Sequence, residues 1–184
     1  LEEGDGSLDI RAYRTRRAHE HAARGVAGES YFILRTLEFD TTTMTQREIP
    51  CLFMRGGTSR GPFFESGDLP GDIAVRDRVL LAIMGSPDAR QIDGLGGATT
   101  PTRMVAIVDR SARQDTDVDS LFSQVSVEKP IVVTAPSRGN MLVCLGPFAR
   151  ERGLLTPTAD VSLATVFNMN TTSIIEAVIK PHGG

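Results

Sequence analysis

The chain has 184 residues, of which 40% are hydrophobic and 23% are charged, a balance that favours one globular domain with a sizeable core. Its net charge of −3 argues against nucleic acid or an anionic membrane surface as the partner. No apolar run approaches the roughly 20 residues of a membrane span. The two cysteines make no disulfide framework, so a cytoplasmic location is expected, and the three histidines lie only in the terminal segments, which argues against a histidine-based site.

Residues 1–43, here called the leader, differ in composition from the rest of the chain. The part up to Gly28 is polar and rich in arginine, without a sustained helical or strand period, and disorder is expected for the leader as a whole. We interpret Met44 as the natural start and the leader as an upstream or non-native extension. A targeting peptide is the weaker alternative, because acidic residues such as Glu2 and Asp5 are rare in transit sequences.

The first elements after the leader are predicted to be a strand pair and a helix. Residues 49–54 are apolar, and residues 61–64 resume after a glycine-rich turn, which indicates a hairpin or a bulged pair. Asp72 is a candidate N-cap for a helix whose apolar residues recur at helical spacing from Ile73 to Met84. Gly85 then ends this helix.

The second half of the chain contains more strands and one further helix. Strands are predicted at residues 105–108, 118–127 and 131–134, and as a hairpin at residues 161–167 and 174–179. The helix is predicted to begin at Gly139 or Asn140. Its run at residues 141–145 is apolar all round and therefore expected to be buried, with a kink at Gly146-Pro147. This order predicts an α+β fold.

The turn Pro136-Ser137-Arg138-Gly139-Asn140-Met141 connects the strand at residues 131–134 to the second helix. A turn of small residues at a helix start leaves backbone N–H groups unpaired where the helix dipole is positive, so it is a candidate anion site. The alternative is that Ser137 or Asn140 only caps the helix. Two more glycine-rich turns, at residues 55–61 and 93–97, precede it.

Several long motifs resemble one known family. The segments IPCLFMRGGTSRG (residues 49–61), residues 78–94 and residues 117–125 resemble the 4-oxalomesaconate tautomerase and 2-methylaconitate cis-trans isomerase (PrpF-like) family, as do Gly139-Asn140-Met141 and residues 146–149. The resemblance implies an isomerase of unsaturated di- or tricarboxylates such as 4-oxalomesaconate, with no cofactor. It also implies a role in aromatic degradation or propionate metabolism. The expected binding partner is a small polycarboxylate, and neither nucleic acid nor a membrane is expected. A homo-oligomer is possible.

The same resemblance implies a diaminopimelate epimerase-like fold, in which each of two lobes wraps a mixed β-sheet around a central apolar helix. On this basis residues 44–184 are expected to form the first lobe, with the second lobe absent. The first lobe would then have unpaired strand edges where the second should lie.

Two positions depart from the family pattern. The family usually has a Lys directly before Val-Ala-Ile-Val and a Cys directly before Gly-Asn-Met, and these places are Met104 and Arg138 here. Met104 has no titrating group and Arg138 stays protonated, so no catalytic residue is intact. The remaining candidates bind substrate carboxylates: Thr58, Ser59, Arg138, Gly139, Asn140 and Met141.

Two hypotheses of different classes follow. The first is a cofactor-independent isomerase, as the resemblance implies. The second is a truncated, non-catalytic remnant or anion-binding module, favoured by Met104, Arg138 and the missing second lobe.

Overall fold

The computed structural model describes residues 9–13, 30–40, 43–134, 139–155 and 162–179, which build one nine-stranded sheet. The strands are, in chain order, β1 (Asp9–Tyr13), β2 (Ser30–Asp40), β3 (Thr43–Gly56), β4 (Ser59–Glu65), β5 (Met104–Arg110), β6 (Val118–Val125), β7 (Val132–Val133), β8 (Ser162–Asn168) and β9 (Ser173–Ile179). Their spatial order is β1-β2-β3-β4-β5-β6-β8-β9, and β7 also pairs with β6. The β4–β5 and β6–β8 pairs are parallel and the others antiparallel, so the predicted mixed sheet and α+β class are confirmed.

Three α-helices occur in the described residues: α1 (Ile73–Met84), α2 (Gly139–Leu142) and α3 (Leu145–Glu151). The predicted ends of α1 are confirmed. The Asp72 carboxylate accepts the backbone N–H of Val75 at 2.9 Å, and Gly85 closes the helix in the left-handed region at φ 75°. None of the helices in the described part of the chain has the length and apolar character needed to cross a membrane.

The sheet has a hydrophobic core on each face, because successive residues of a strand point to opposite sides. On one face, Met104, Ala106 and Val108 of β5 share a cluster with buried side chains of α2, α3 and the break between them, which are Met141, Cys144, Leu145, Phe148 and Ala149. On the other face, Val105 and Ile107 of β5 pack with the buried side chains of α1, which are Val79, Leu80, Ile83 and Met84. Helices therefore lie on both faces of the sheet in the described part of the chain.

The second predicted helix is divided earlier than expected. The break lies at Val143-Cys144, between α2 and α3, and not at Gly146-Pro147. Pro147 lies in the first turn of α3, where a backbone N–H has no intrahelical acceptor and its loss is tolerated. Because the helix ends at Leu142, Val143 turns outward and is 65% exposed, so the prediction that the whole run is buried is wrong at this residue.

Two segments of the leader form strands, which differs from the disorder expected there. β2 pairs antiparallel with β3 from Ser30↔Phe53 to Asp40↔Thr43, and β1 pairs with β2. The run Tyr31-Phe32-Ile33-Leu34 consists of aromatic, β-branched and other apolar residues, which suit a pleated sheet. Apart from β1, β2 and Thr43, the leader lies outside the described residues. The non-native origin of the leader stays a prediction.

Candidate functional site

The β3–β4 hairpin turn and the start of α2 are in direct contact. The Asn140 side-chain Nδ2 donates a hydrogen bond to Thr58 Oγ1 at 2.8 Å. A Cβ atom on Gly56 would lie 1.8 Å from the Asn140 carbonyl oxygen, closer than any real contact. The sequence therefore needs glycine here so that the hairpin backbone can touch α2. Two of the three glycine-rich segments that the sequence singles out meet at this point.

The hairpin presents one of its two predicted hydroxyl groups. Gly57 adopts a positive φ of 56° at the turn, and the Arg55 Nε donates to its carbonyl oxygen at 3.1 Å. Thr58 is exposed, whereas Ser59 is only 3% exposed. An external ligand can thus reach the Thr58 hydroxyl, which accepts from Asn140 and keeps its own hydrogen for donation.

The start of β5 lies beside the same hairpin. A Cβ on Gly61 of β4 would be 1.9 Å from the Met104 carbonyl oxygen, so the two backbones are closely packed. Met104 is the first residue of β5, pairs with Gln124 of β6 and is 1% exposed. Its side chain belongs to the same core cluster as Met141. The position at which the family resemblance implies a Lys is therefore filled by an apolar side chain packed into the same core as Met141 of α2.

The third glycine-rich turn lies against the end of α1. The Leu95 N–H donates to the Ile83 carbonyl oxygen at 2.9 Å, and the Gly96 N–H to that of Met84 at 3.3 Å. Gln91, 1% exposed, holds the loop from inside: its Oε1 accepts from the Ala98 N–H at 2.9 Å. Within the described residues, none of this turn's hydrogen bonds reaches the hairpin or α2.

The loop instead leads into β5 through a short 3-10 turn at Thr100–Thr102. Thr99 and Thr102 form a reciprocal capping arrangement there, with their hydroxyl oxygens 2.9 Å apart. A Cβ on Gly97 would lie 2.6 Å from Thr102 Oγ1, so this glycine allows the loop to pack on the capped turn. The loop thereby fixes the backbone just before Met104.

Of the six predicted binding residues, the structure brings Thr58, Gly139 and Asn140 together at an exposed surface. Met141 is buried and offers a ligand only its backbone. Arg138 lies outside the described residues, as do the three residues before it, so the predicted anion turn is described only from Gly139 onward. Carboxylate binding by that turn stays a prediction.

Arg103 is a residue that the sequence does not single out. It directly precedes Met104, and its Nη2 donates to Gln124 Oε1 at a long 3.4 Å. Its Nε is buried without a hydrogen-bond partner. In the sequence, an arginine after a threonine-rich turn looks like an ordinary surface residue. The one hint of a binding role is its position, since it places a cation one residue before Met104, where the resemblance implies a Lys.

An ionic cluster lies at the opposite end of β4. The Arg152 Nη2 at the end of α3 lies 3.0 Å from Glu65 Oε2 and 2.7 Å from Asp68 Oδ2. Burial raises the pKa of Asp68 above its usual 3.8, even though the Arg152 charge lowers it; the Glu65 charge raises it further. This cluster ties α3 to the sheet away from the hairpin turn. Within the described residues, no three His, Cys, Asp or Glu side chains converge as a metal site would require.

Comparisons of the chain with family models and with individual proteins point to the same family. Residues 46–184 match the family model described as PrpF protein. The chain is 50% identical over 141 residues to a 4-oxalomesaconate tautomerase of Pseudomonas putida, covering 77% of this chain and 39% of the relative. It is 50% identical over 135 residues to a (4E)-oxalomesaconate Delta-isomerase of Novosphingobium sp., covering 73% of this chain and 38% of the relative.

A solved structure supports the same relationship. The crystal structure of a methylitaconate-delta-isomerase superposes with a TM-score of 0.70 at 41% identity, covering 72% of this chain and 34% of the other. The chain therefore spans less than half the length of the curated relatives it matches, 38–39% for the two oxalomesaconate enzymes.

Proposed function

Since the chain belongs to the PrpF family, we propose that it is the substrate-binding N-terminal portion of a cofactor-independent isomerase of unsaturated di- or tricarboxylates. Relatives named for oxalomesaconate, methylitaconate and methylaconitate support this class of substrate, and 4-oxalomesaconate is the preferred candidate. We also propose that residues 44–184 form a diaminopimelate epimerase-like first lobe. On its own, this portion binds a polycarboxylate but does not isomerise it.

The reaction of this class makes clear demands on a site. A base removes a proton from a carbon next to an unsaturated acid, and an acid returns a proton elsewhere on the same carbon frame. Fixed hydrogen-bond donors hold the carboxylates and stabilise the enolate-like charge that develops. The site therefore has two separable parts, a proton-transfer pair and a set of carboxylate donors.

The carboxylate donors are supported by the contact between the β3–β4 hairpin and α2. Asn140 occupies one lone pair of the Thr58 oxygen at 2.8 Å, which directs the Thr58 hydroxyl hydrogen away from α2. Gly139 and Asn140 are both exposed at the start of α2, where backbone N–H groups have no intrahelical acceptors. These groups suit a ligand with several carboxylate oxygens.

The placement of Met104 is the observation that supports the proposed absence of a proton-transfer pair. Its side chain is 1% exposed in a core of apolar residues, where it neither titrates nor meets a ligand. The family's other position is Arg138, whose guanidinium does not lose a proton in proteins. Loss of one positioned acid–base group typically costs about 10²–10⁴-fold in rate, and here both are replaced.

The proposal is tested by following the ultraviolet absorbance of 4-oxalomesaconate with the purified chain. We expect no turnover by the native sequence, and partial recovery in the double variant Met104→Lys, Arg138→Cys. A lysine at the Met104 position loses hydration, which lowers its pKa toward that of a useful base. Circular dichroism of both proteins controls for folding. Turnover by the native sequence on the order of 10 per second would contradict the proposed inactivity.

A further inference from the structure

We propose that Arg103 binds one carboxylate of the polycarboxylate ligand, so that it supplies the positive charge of the site from the residue before Met104. This inference rests on the proposed function for the class of ligand, but it concerns a residue to which neither the family motifs nor the relatives assign a role.

The backbone of Arg103 is held in place at the end of the sheet nearest the hairpin. Its carbonyl oxygen accepts the Val125 N–H at 3.0 Å, and it directly follows the capped turn at Thr100–Thr102. It lies next to Met104, whose carbonyl oxygen is packed against Gly61 of β4. The side chain therefore projects from a rigid support and not from a loose loop.

The guanidinium has no counter-charge in the described part of the molecule. Three arginines there are partly buried, and two of them contact carboxylates: Arg76 is 2.9 Å from Asp77, and Arg152 is 2.7 Å from Asp68. Arg103 has no carboxylate within ion-pair distance among the described side chains, and its Nε is buried without a partner. Partial burial of an uncompensated cation is unfavourable, so a ligand that brings an anion is strongly favoured at this position.

The unused hydrogen-bonding capacity of Arg103 matches a carboxylate. Among the described residues, the side chain of Arg103 makes one hydrogen bond, the long 3.4 Å bond from Nη2 to the neutral amide of Gln124, which a stronger acceptor can replace. The two Nη groups of a guanidinium can bind both oxygens of a carboxylate end-on, a contact that does not require access to the buried Nε. A ligand with two or three carboxylates can place one of them on Arg103.

The test uses tricarballylate (propane-1,2,3-tricarboxylate), which has no double bond and cannot be isomerised. Its affinity for the purified chain is measured by calorimetry for the native sequence and for Arg103→Gln, Arg103→Lys and the matched control Arg78→Gln. Arg78 is exposed on α1 and carries the same charge. We expect Arg103→Gln to weaken binding tenfold or more, which is about 1.4 kcal/mol, Arg103→Lys to retain part of it, and Arg78→Gln to match the native chain.

The Arg103 Nε–H resonance in an ¹⁵N-correlated spectrum of the native chain gives a second readout that needs no variant. We expect tricarballylate to shift this resonance in proportion to occupancy. Equal affinity of Arg103→Gln and native chain, an equal loss in Arg78→Gln, no binding to the native chain, or an unmoved Nε–H signal would each overturn the inference. Loss of the Arg103 effect alone would overturn the inference and leave polycarboxylate binding by the chain in place, whereas absence of binding to the native chain would overturn the proposed binding function as well. Turnover is reported separately by the absorbance assay.

Discussion

Substitution of Gly56 by alanine tests the contact on which the candidate site depends. The added Cβ would lie 1.8 Å from the Asn140 carbonyl oxygen, 2.8 Å from its carbonyl carbon and 3.0 Å from Val143 Cγ2. Two of these atoms belong to the backbone, which cannot rotate away, so α2 must move off the hairpin. Overpacking of this kind costs about 1–3 kcal/mol. For a chain of this length each kcal/mol lowers the melting temperature by about 2–4 °C, so the expected decrease is about 2–12 °C.

Thermal unfolding followed by circular dichroism measures this effect, with Gly67→Ala as the matched control. A Cβ on Gly67 meets nothing within 4 Å, so this variant should melt within about 2 °C of the native chain. Gly56→Ala should also weaken tricarballylate binding, because Asn140 is displaced from Thr58. If Gly56→Ala melts like Gly67→Ala and binds like the native chain, the hairpin and α2 are not in contact as described.

Three further variants are predicted. Met104→Ala should lower the free energy of unfolding by about 2–5 kcal/mol in chemical denaturation, because it leaves a cavity in a closed core; a smaller loss would mean that Met104 is not packed there. Burial raises the pKa of the Asp68 carboxyl group in the folded chain. The contribution of Asp68 to the free energy of unfolding should therefore fall as the pH rises from 3.8 through the raised pKa. The variant Asp68→Asn should remove this decrease from the pH dependence of unfolding. A double-mutant cycle of Asn140→Ala with Thr58→Val should give a coupling of about 0.5–1.5 kcal/mol, and additive effects would exclude their hydrogen bond.

Elements with strong local signals could be predicted from the sequence. The β3–β4 hairpin follows from apolar runs on each side of Gly56-Gly57, and α1 from Asp72, the apolar spacing and Gly85. In each case the residues that determine the element are adjacent in the chain. The same holds for β8 and β9, which the sequence predicts as a hairpin at residues 161–167 and 174–179.

Features that depend on distant contacts could not be predicted in this way. The division between α2 and α3 leaves Val143 exposed, although its neighbours in sequence are all apolar. The pairing of β2 depends on the register it finds along β3, and the composition of the leader does not specify that register. The position of Arg103 beside Gln124 joins residues 21 apart in the chain, and the missing counter-charge is visible only in three dimensions.

The central claim is that this chain binds a polycarboxylate but does not move its proton. The most direct measurement is a proton NMR experiment on 4-oxalomesaconate incubated with the purified chain in deuterated water. Any base that removes the substrate proton exchanges it for deuterium, even when the isomer does not accumulate. The account predicts ligand resonances broadened by binding, with no deuterium incorporation and no isomer above the protein-free sample. Incorporation or isomerisation that increases with protein concentration would contradict it.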